Sequence, residues 1–157
     1  MLNPGEFLVV AADTATFAAK YSAVTNVIGG WEGQLSNRGE EIDLVDSTGS
    51  RVDRVAYADA GDWGVRERGP FDRNHYGWIW TADHDGLGKS LELINPTLSN
   101  NYGHNWAAST TVQGTPGRLN SVQDDDIAPM ILDVAHYPTI PSSVSYTHLT
   151  LPTTPYV

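Results

Sequence analysis

The amino-acid sequence predicts an all-β fold with one short helix, on three observations. Its 157 residues are close to the length of one domain, which favours a single hydrophobic core. Hydrophobic residues make up 40% of the chain and charged residues 18%, a composition too apolar for disorder. The 15 glycines and 9 prolines indicate many turns, and short apolar or alternating runs between turns are typical of strands.

The first strand and the helix are predicted near the start of the chain. The apolar run 7–11 follows a Pro-Gly turn signal and is typical of a short buried strand. Asp13 is a favourable N-cap residue, so a helix is expected to begin directly after it. Apolar residues then recur at helical spacing, at Phe17, Tyr21 and Val24. We therefore predict one short amphipathic helix near residues 14–21.

Three further strands are predicted from alternating or β-branched runs. The alternation at 42–44 and the run 52–57 flank the turn 47–50, which predicts a β-hairpin with one buried face. The apolar phase changes within the second run, so a β-bulge is expected near Asp53. A third alternation, at 91–93, ends ahead of a proline and predicts another strand.

The segment 61–82 is rich in aromatic and arginine residues. No strict period of two or 3.6 organises it, so we expect a long ordered loop, because disordered loops seldom carry so many aromatic side chains. Trp, Tyr and Arg dominate binding hot spots, and flat indoles can stack on sugar rings. The candidate binding residues are Trp78, Trp80, Tyr76, Arg66, Arg68 and Arg73. In the alternative interpretation, the aromatic side chains form a cluster that covers one end of the fold, and the arginines pair with nearby carboxylates.

Charge and residue content exclude several function classes. Nine basic and 19 acidic residues give a net charge of −10, which disfavours nucleic acid and anionic lipid as partners. No apolar run is long enough to span a bilayer, so no membrane insertion is expected. Cysteine is absent, which excludes disulfides, zinc thiolate sites and thiol catalysis.

The polar residues offer only weak catalytic or metal-binding signals. Asp83 and Asp85 could supply oxygen ligands for calcium, but the spacing of an EF-hand is absent and a solvated acidic turn is favoured. The five histidines include no helix-borne zinc pair, and no Gly-x-Ser-x-Gly nucleophile elbow occurs. We therefore expect a non-catalytic protein without a cofactor or a metal ion.

Six short elements in consistent order resemble the lamin-tail domain, an immunoglobulin-like β-sandwich. They lie at residues 4–11, 35–44, 52–57, 90–93, 105–109 and 114–120. The resemblance covers residues 4–122 and implies an immunoglobulin-like sandwich whose strands present one face to the core. The side chains expected to face inward are Leu8, Val10, Ile42, Leu44, Val55, Leu91, Leu93 and Trp106.

The resemblance also divides the chain into three parts. The family pattern begins with strands that precede the Pro-Gly element, so residues 1–122 are expected to be a lamin-tail-like domain that lacks its first strands; a complete, smaller sandwich is the alternative. Residues 123–143 resemble an acidic linker and the start of a following immunoglobulin-like module. The stretch 144–157 resembles a translated sequencing adapter and is expected to be an artefactual tail, with an ordinary Thr- and Pro-rich tail as the alternative.

The function that the resemblance implies is that of a non-catalytic interaction or spacer module in a large exported or cell-surface bacterial protein. Its partners would be a protein or a cell-surface glycan, and its extracellular location rests on the resemblance alone. One alternative is a carbohydrate-binding module that uses the segment 61–82. The other is an accessory domain of a surface hydrolase or a kinase-like enzyme.

Overall fold

The computed structural model describes residues 2–130, which form a mainly β fold with one short α-helix. The strands form four separate two-stranded sheets, of which the first is parallel and the other three antiparallel. The elements are β1 (Val9–Ala11), α1 (Thr14–Lys20), β2 (Val27–Gly29), β3 (Gly39–Val45), β4 (Arg51–Ala58), β5 (Val65–Asp72), β6 (His75–Thr81), β7 (Leu91–Leu93) and β8 (Trp106–Ala108), with 3₁₀ turns at Gly61–Trp63 and Gly103–Asn105. The expected module start after residue 130 and the tail 144–157 lie outside the described residues.

Helix α1 begins where the sequence predicts, because Asp13 caps it. Oδ1 of Asp13 accepts hydrogen bonds from the backbone amides of Ala15 (2.9 Å) and Thr16 (3.0 Å). Hydrogen bonds from Thr16 and then from Ala15 hold the pKa of the Asp13 carboxyl below its usual range. Phe17 and Tyr21 lie on one side of the helix, with ring centroids 4.8 Å apart. The helix joins β1 to β2, which run parallel with Val9 opposite Val27.

The expectation that residues 7–11 form a buried strand is wrong. Only Val9–Ala11 is a strand, and the Val10 side chain is 61% exposed. Phe7 and Leu8 are also exposed. Strand β1 pairs with β2 alone, and none of its three residues is fully buried.

The β3–β4 hairpin and its bulge are confirmed. Leu44 lies opposite Asp53 and Val45 opposite Arg51, so Val52 is the extra residue of the bulge. In the turn, Oδ1 of Asp46 accepts hydrogen bonds from the amides of Thr48 (2.8 Å) and Ser50 (3.0 Å). The expectation of a buried face is wrong, because six of the seven residues of β3 and four of the eight residues of β4 are exposed and none in either strand is fully buried.

The expectation that eight side chains face a hydrophobic core is therefore wrong, because none of the eight is fully buried. Four of them are exposed in the structure: Leu8, Val10, Ile42 and Leu44. The other four are half-buried: Val55, Leu91, Leu93 and Trp106. No hydrophobic side chain within residues 2–130 is fully buried.

The buried side chains of the described chain are instead polar and lie around β7 and β8. They are Glu92, Asn95, Asn105 and Ser109. The Asn105 side chain accepts from the Asn95 amide (2.9 Å) and donates to the Asn95 carbonyl (2.8 Å), which ties the residues after β7 to the residues before β8. Within the described residues every buried side-chain nitrogen and oxygen has a hydrogen-bond partner. Satisfied polar groups thus take the place of an apolar core in this region.

Candidate functional site

The segment 61–82 is a β-hairpin, so the prediction of a long ordered loop is wrong. Strands β5 and β6 are joined by the two-residue turn Arg73–Asn74, whose φ angles are 47° and 65°. Positive φ at both central residues is the geometry of a type I′ turn, whose twist matches that of the flanking strands. Arg66 lies opposite Trp80, and Arg68 lies opposite Trp78.

A bulge near the turn end of the hairpin keeps the aromatic residues on one side. The register shifts between Arg68 and Phe71, and beyond the shift Phe71 lies opposite Tyr76. A Cβ atom on Gly69 would lie 3.1 Å from the carbonyl oxygen of Gly77, so the two strands approach closely at this position. The rings of Phe71 and Tyr76 are in contact, with centroids 5.0 Å apart.

One face of the hairpin therefore carries six large side chains, which we term the aromatic–arginine face. Its members are Arg66, Arg68, Phe71, Tyr76, Trp78 and Trp80. Five of them belong to the candidate set from the sequence, and Phe71 is new. The signal for Phe71 was hidden, because the bulge at residues 69–70 breaks the period of two within β5.

Each arginine lies nearest to an aromatic ring that is diagonal to it across the hairpin. The Arg66 guanidinium carbon lies 4.5 Å from the Trp78 ring centroid and 5.8 Å from that of Trp80. The Arg68 guanidinium carbon lies 3.8 Å from the Tyr76 centroid. Diagonal cross-strand neighbours are within reach of long side chains, and such cation–π contacts contribute about 0.5–1 kcal/mol at exposed sites. The contacts order the face while leaving it open to solvent.

The face is exposed, and its arginines have no acidic partner in the described chain. Trp78 is 55% exposed and Trp80 is 44% exposed. Neither Arg66 nor Arg68 takes part in an ion pair or in a side-chain hydrogen bond within residues 2–130. The alternative that these arginines pair with nearby carboxylates therefore does not hold for these two residues.

Arg73 does not belong to this face. It occupies the hairpin turn, where its side chain is 89% exposed and lies 3.9 Å from a carboxylate oxygen of Asp72. The sequence placed it with the other arginines because all three share the segment 61–82. Its role in the structure is that of a turn residue.

The structure does not bring the weak calcium candidates together with further ligands. The Asp83 carboxylate binds the Lys89 ammonium group at 2.7 Å. His84, between the two aspartates, is within hydrogen-bond distance of the Ala58 carbonyl, at 3.1 Å. Within residues 2–130, no group of three or more histidine, aspartate or glutamate residues is arranged to hold a metal ion.

Sequence reasoning missed the buried carboxylate of Glu92. Its alternation with Leu91 and Leu93 placed it on the solvent side, whereas the structure leaves it 4% exposed. Its oxygens accept hydrogen bonds from Ser90 Oγ (3.1 Å), from Thr115 Oγ1 (2.5 Å) and from both the amide and the hydroxyl of Ser121 (2.7 Å each). Burial alone raises the pKa of Glu92, but these hydrogen bonds outweigh it and hold the pKa below its usual range.

The Glu92 carboxylate joins β7 to the segments around Thr115 and Ser121. Both of its oxygens are used by groups of the protein itself, which leaves no acceptor directed at a ligand. The side chains of the aromatic–arginine face differ from Glu92 in this respect, because they contact one another and remain exposed to solvent. This face is therefore the candidate functional site.

Two further findings bear on the function of the chain. Among the described residues, no helix combines the length and the apolar character that crossing a membrane would require. Comparisons with protein-family models, with curated proteins and with solved structures found no match.

Proposed function

We propose that this chain is a non-catalytic interaction module that binds its partner through the aromatic–arginine face. The observation that carries the proposal is that four exposed aromatic rings and two guanidinium groups share one face of a single hairpin. Contiguous exposed apolar patches on soluble proteins commonly mark interaction sites, because leaving such a surface in water is unfavourable.

The composition of the face favours binding over a purely structural role. Trp, Tyr and Arg are the residues that most often dominate binding energy, because they bury a large area with few rotatable bonds. The cation–π contacts of Arg66 and Arg68 hold these side chains in place before a partner arrives, which lowers the entropic cost of binding. The alternative of a cluster that covers the end of the fold is disfavoured, because Trp78 and Trp80 remain about half exposed.

A glycan is the partner that the geometry favours over a protein. Trp78 and Trp80 lie two residues apart on one strand, which spaces their rings by about 7 Å along it. Two indoles spaced along one strand suit the stacking of successive sugar rings. The face carries no carboxylate, histidine or serine, so it offers binding groups without the acid–base pairs that glycoside hydrolysis requires.

The wider setting is proposed on the resemblance to the lamin-tail domain. In this proposal the chain belongs to an immunoglobulin-like sandwich of that type, in a large exported or cell-surface bacterial protein. The mainly β fold of the described residues is consistent with it. An accessory role beside a surface hydrolase or a kinase-like enzyme predicts a catalytic domain in the same reading frame of the full-length gene, and sequencing that gene tests it.

The binding proposal is tested on an array of glycans and cell-surface polysaccharides. We expect the chain to bind a subset of them, and the double variant Trp78→Ala/Trp80→Ala to weaken binding at least tenfold. The matched control is Trp31→Ala, which removes an exposed tryptophan outside the hairpin and should leave binding unchanged. Absence of binding to every glycan and to candidate surface proteins would indicate a spacer instead.

A further inference from the structure

We propose that the aromatic–arginine face selects anionic saccharides, that is, glycans that carry carboxylate or sulfate groups. The inference rests on the proposed function and names the class of ligand that the same face takes. Three observations carry the inference. The two guanidinium groups have no ion pair in the described chain, they lie beside the indoles, and the surrounding chain is acidic.

The guanidinium groups of Arg66 and Arg68 are oriented by stacking and remain free to donate hydrogen bonds. The guanidinium carbons lie 4.5 Å from the Trp78 ring centroid and 3.8 Å from that of Tyr76, and a cation–π contact of this kind does not use the N–H donors in a hydrogen bond. Each group offers five such donors in a planar arrangement that matches a carboxylate or a sulfate. Because neither arginine has an ion pair within residues 2–130, an incoming anion need not displace a carboxylate of the protein.

The position of the arginines fits a ligand that alternates rings with charges. Arg66 and Arg68 lie two residues apart on β5, and the two indoles lie directly opposite them on β6. A saccharide whose ring stacks on an indole therefore has a guanidinium within reach of its ring substituents. A neutral sugar offers the guanidinium groups only hydroxyl oxygens, whereas a carboxylate or a sulfate accepts charge-assisted hydrogen bonds that are roughly twice as strong.

The aromatic–arginine face differs in charge from the rest of the chain. The chain as a whole has a net charge of −10, whereas the aromatic–arginine face carries Arg66 and Arg68 and no carboxylate. The face is thus a small cationic patch on an acidic protein. Long-range repulsion from the acidic chain weakens the approach of any polyanion, so the two guanidinium groups have to hold an anionic ligand through short-range contacts.

The experiment measures binding of the full chain to three saccharides and one nucleic acid at low and moderate salt. Polygalacturonate supplies carboxylates, its fully methyl-esterified form is the matched neutral polymer, a sulfated polysaccharide supplies sulfates, and a single-stranded DNA oligonucleotide supplies phosphates. We expect at least tenfold tighter binding to an anionic saccharide than to the neutral polymer, with affinity that falls as salt rises. The two anionic arms distinguish carboxylate from sulfate as the preferred group.

The decisive variant is Arg66→Gln/Arg68→Gln, which removes both charges and keeps similar side-chain length. We expect it to bind the anionic saccharide at least tenfold more weakly and to leave binding to the neutral polymer within twofold. The matched control is Arg38→Gln/Arg118→Gln, which removes the same charge from two exposed arginines that have no ion pair in the described chain. Circular dichroism and tryptophan fluorescence verify that each variant keeps its fold.

Other outcomes separate the two proposals. Equal binding to the neutral and charged polymers, lost in Trp78→Ala/Trp80→Ala but kept in Arg66→Gln/Arg68→Gln, would overturn the anionic preference and support the proposed glycan binding. Tighter binding to the oligonucleotide than to any saccharide would overturn the inference. No binding of the wild-type chain to any of the four polymers would count against the inference, and the array of glycans and proteins then decides the proposed function separately.

Discussion

The carboxylate of Glu92 accepts two hydrogen bonds from Ser121, one from the backbone amide and one from the hydroxyl, each 2.7 Å long. The two residues are 29 positions apart in the chain, so the pair fixes the segment after β8 against strand β7. The Ser121 hydroxyl also accepts a hydrogen bond from the Thr110 amide, at 2.9 Å. A β-sandwich would have apolar side chains at this position. The region around β7 and β8 is instead connected by hydrogen bonds to a buried carboxylate.

We expect Glu92→Gln to loosen the segment around Ser121. The amide group can keep one acceptor for the Ser121 N–H, but its NH₂ then points at the hydroxyls of Ser90 and Thr115 and the charge is lost. The expected cost is about 1–3 kcal/mol, or roughly a tenfold to hundredfold faster hydrogen exchange at the Ser121 amide. Glu92→Leu should cost more, because it leaves the Ser121 N–H without an acceptor.

Hydrogen exchange followed by mass spectrometry or NMR measures this change. Glu67→Gln is the matched control, because Glu67 is an exposed glutamate on the opposite face of the β5–β6 hairpin. It should change exchange around Ser121 by less than a factor of two. Equal effects of the two substitutions would contradict a structural role for Glu92.

The stability of the β7–β8 region should fall in acid because of Glu92. Its hydrogen bonds favour the carboxylate, so the folded-state pKa lies below the ordinary value of 4.5. Protonation therefore favours the unfolded state. The stability that the carboxylate contributes is complete above about pH 4.5 and is lost as the pH falls towards the lowered folded-state pKa. The Trp106 indole N–H, bonded to the Asn100 carbonyl at 2.8 Å, is a local NMR probe between pH 7 and pH 3.

The variant Glu92→Gln provides the control for this pH dependence. Asp13 and Asp46 also have lowered pKa values and add acid sensitivity of the same sign, through hydrogen bonds of the helix cap and of the β3–β4 turn. The difference between wild type and variant isolates the contribution of Glu92. An identical acid transition in both proteins would show that the carboxylate does not supply the stability.

The elements that the sequence predicts well depend on local signals. Helix α1 follows from the cap at Asp13, whose hydrogen bonds span only three residues. The β3–β4 hairpin follows from a turn in which the Asp46 side chain organises its own neighbours. Such interactions depend on adjacent residues alone, so they can be recognised without knowledge of the rest of the fold.

The elements that the sequence misses depend on partners distant in the chain or on an unusual choice of residues. The β5–β6 hairpin was not recognised because arginines and aromatic residues share one face, so hydrophobicity does not alternate along β5. Alternation was visible in β6, where Tyr76, Trp78 and Trp80 are separated by single residues. Burial of Glu92 depends on donors 23 and 29 residues away, which no local pattern reveals.

Gly103→Ala should separate the two 3₁₀ turns. A Cβ atom at this position would lie against the backbone of Asp62 and Trp63, closer than van der Waals contact permits. Because backbone atoms cannot yield as a flexible side chain can, the two turns have to move apart, and we expect a cost of about 1–3 kcal/mol. Contact between the rings of Trp63 and Trp106, whose centroids are 5.8 Å apart, should be lost. Near-ultraviolet circular dichroism detects that loss as a weaker tryptophan signal.

The control for this substitution is Gly77→Ala in β6. A Cβ atom on Gly77 would have no neighbour within 4 Å, and its φ angle is not in the left-handed region. It should leave the tryptophan signal of the 3₁₀ turns unchanged. A full signal in Gly103→Ala would mean that the two turns tolerate a side chain between them, contrary to the close backbone approach.

Substitutions in the turn of the β5–β6 hairpin should stabilise the hairpin without changing any residue of the aromatic–arginine face. Arg73 and Asn74 both have positive φ angles, a conformation that costs most residues about 1 kcal/mol and that Asn-Gly adopts readily. We expect Arg73→Asn/Asn74→Gly to slow hydrogen exchange of the β5 and β6 amides about fivefold. Binding to the anionic saccharide should stay equal or become tighter, because a more ordered hairpin has less entropy to lose. Weaker binding despite slower exchange would show that the Arg73 side chain contacts the ligand after all.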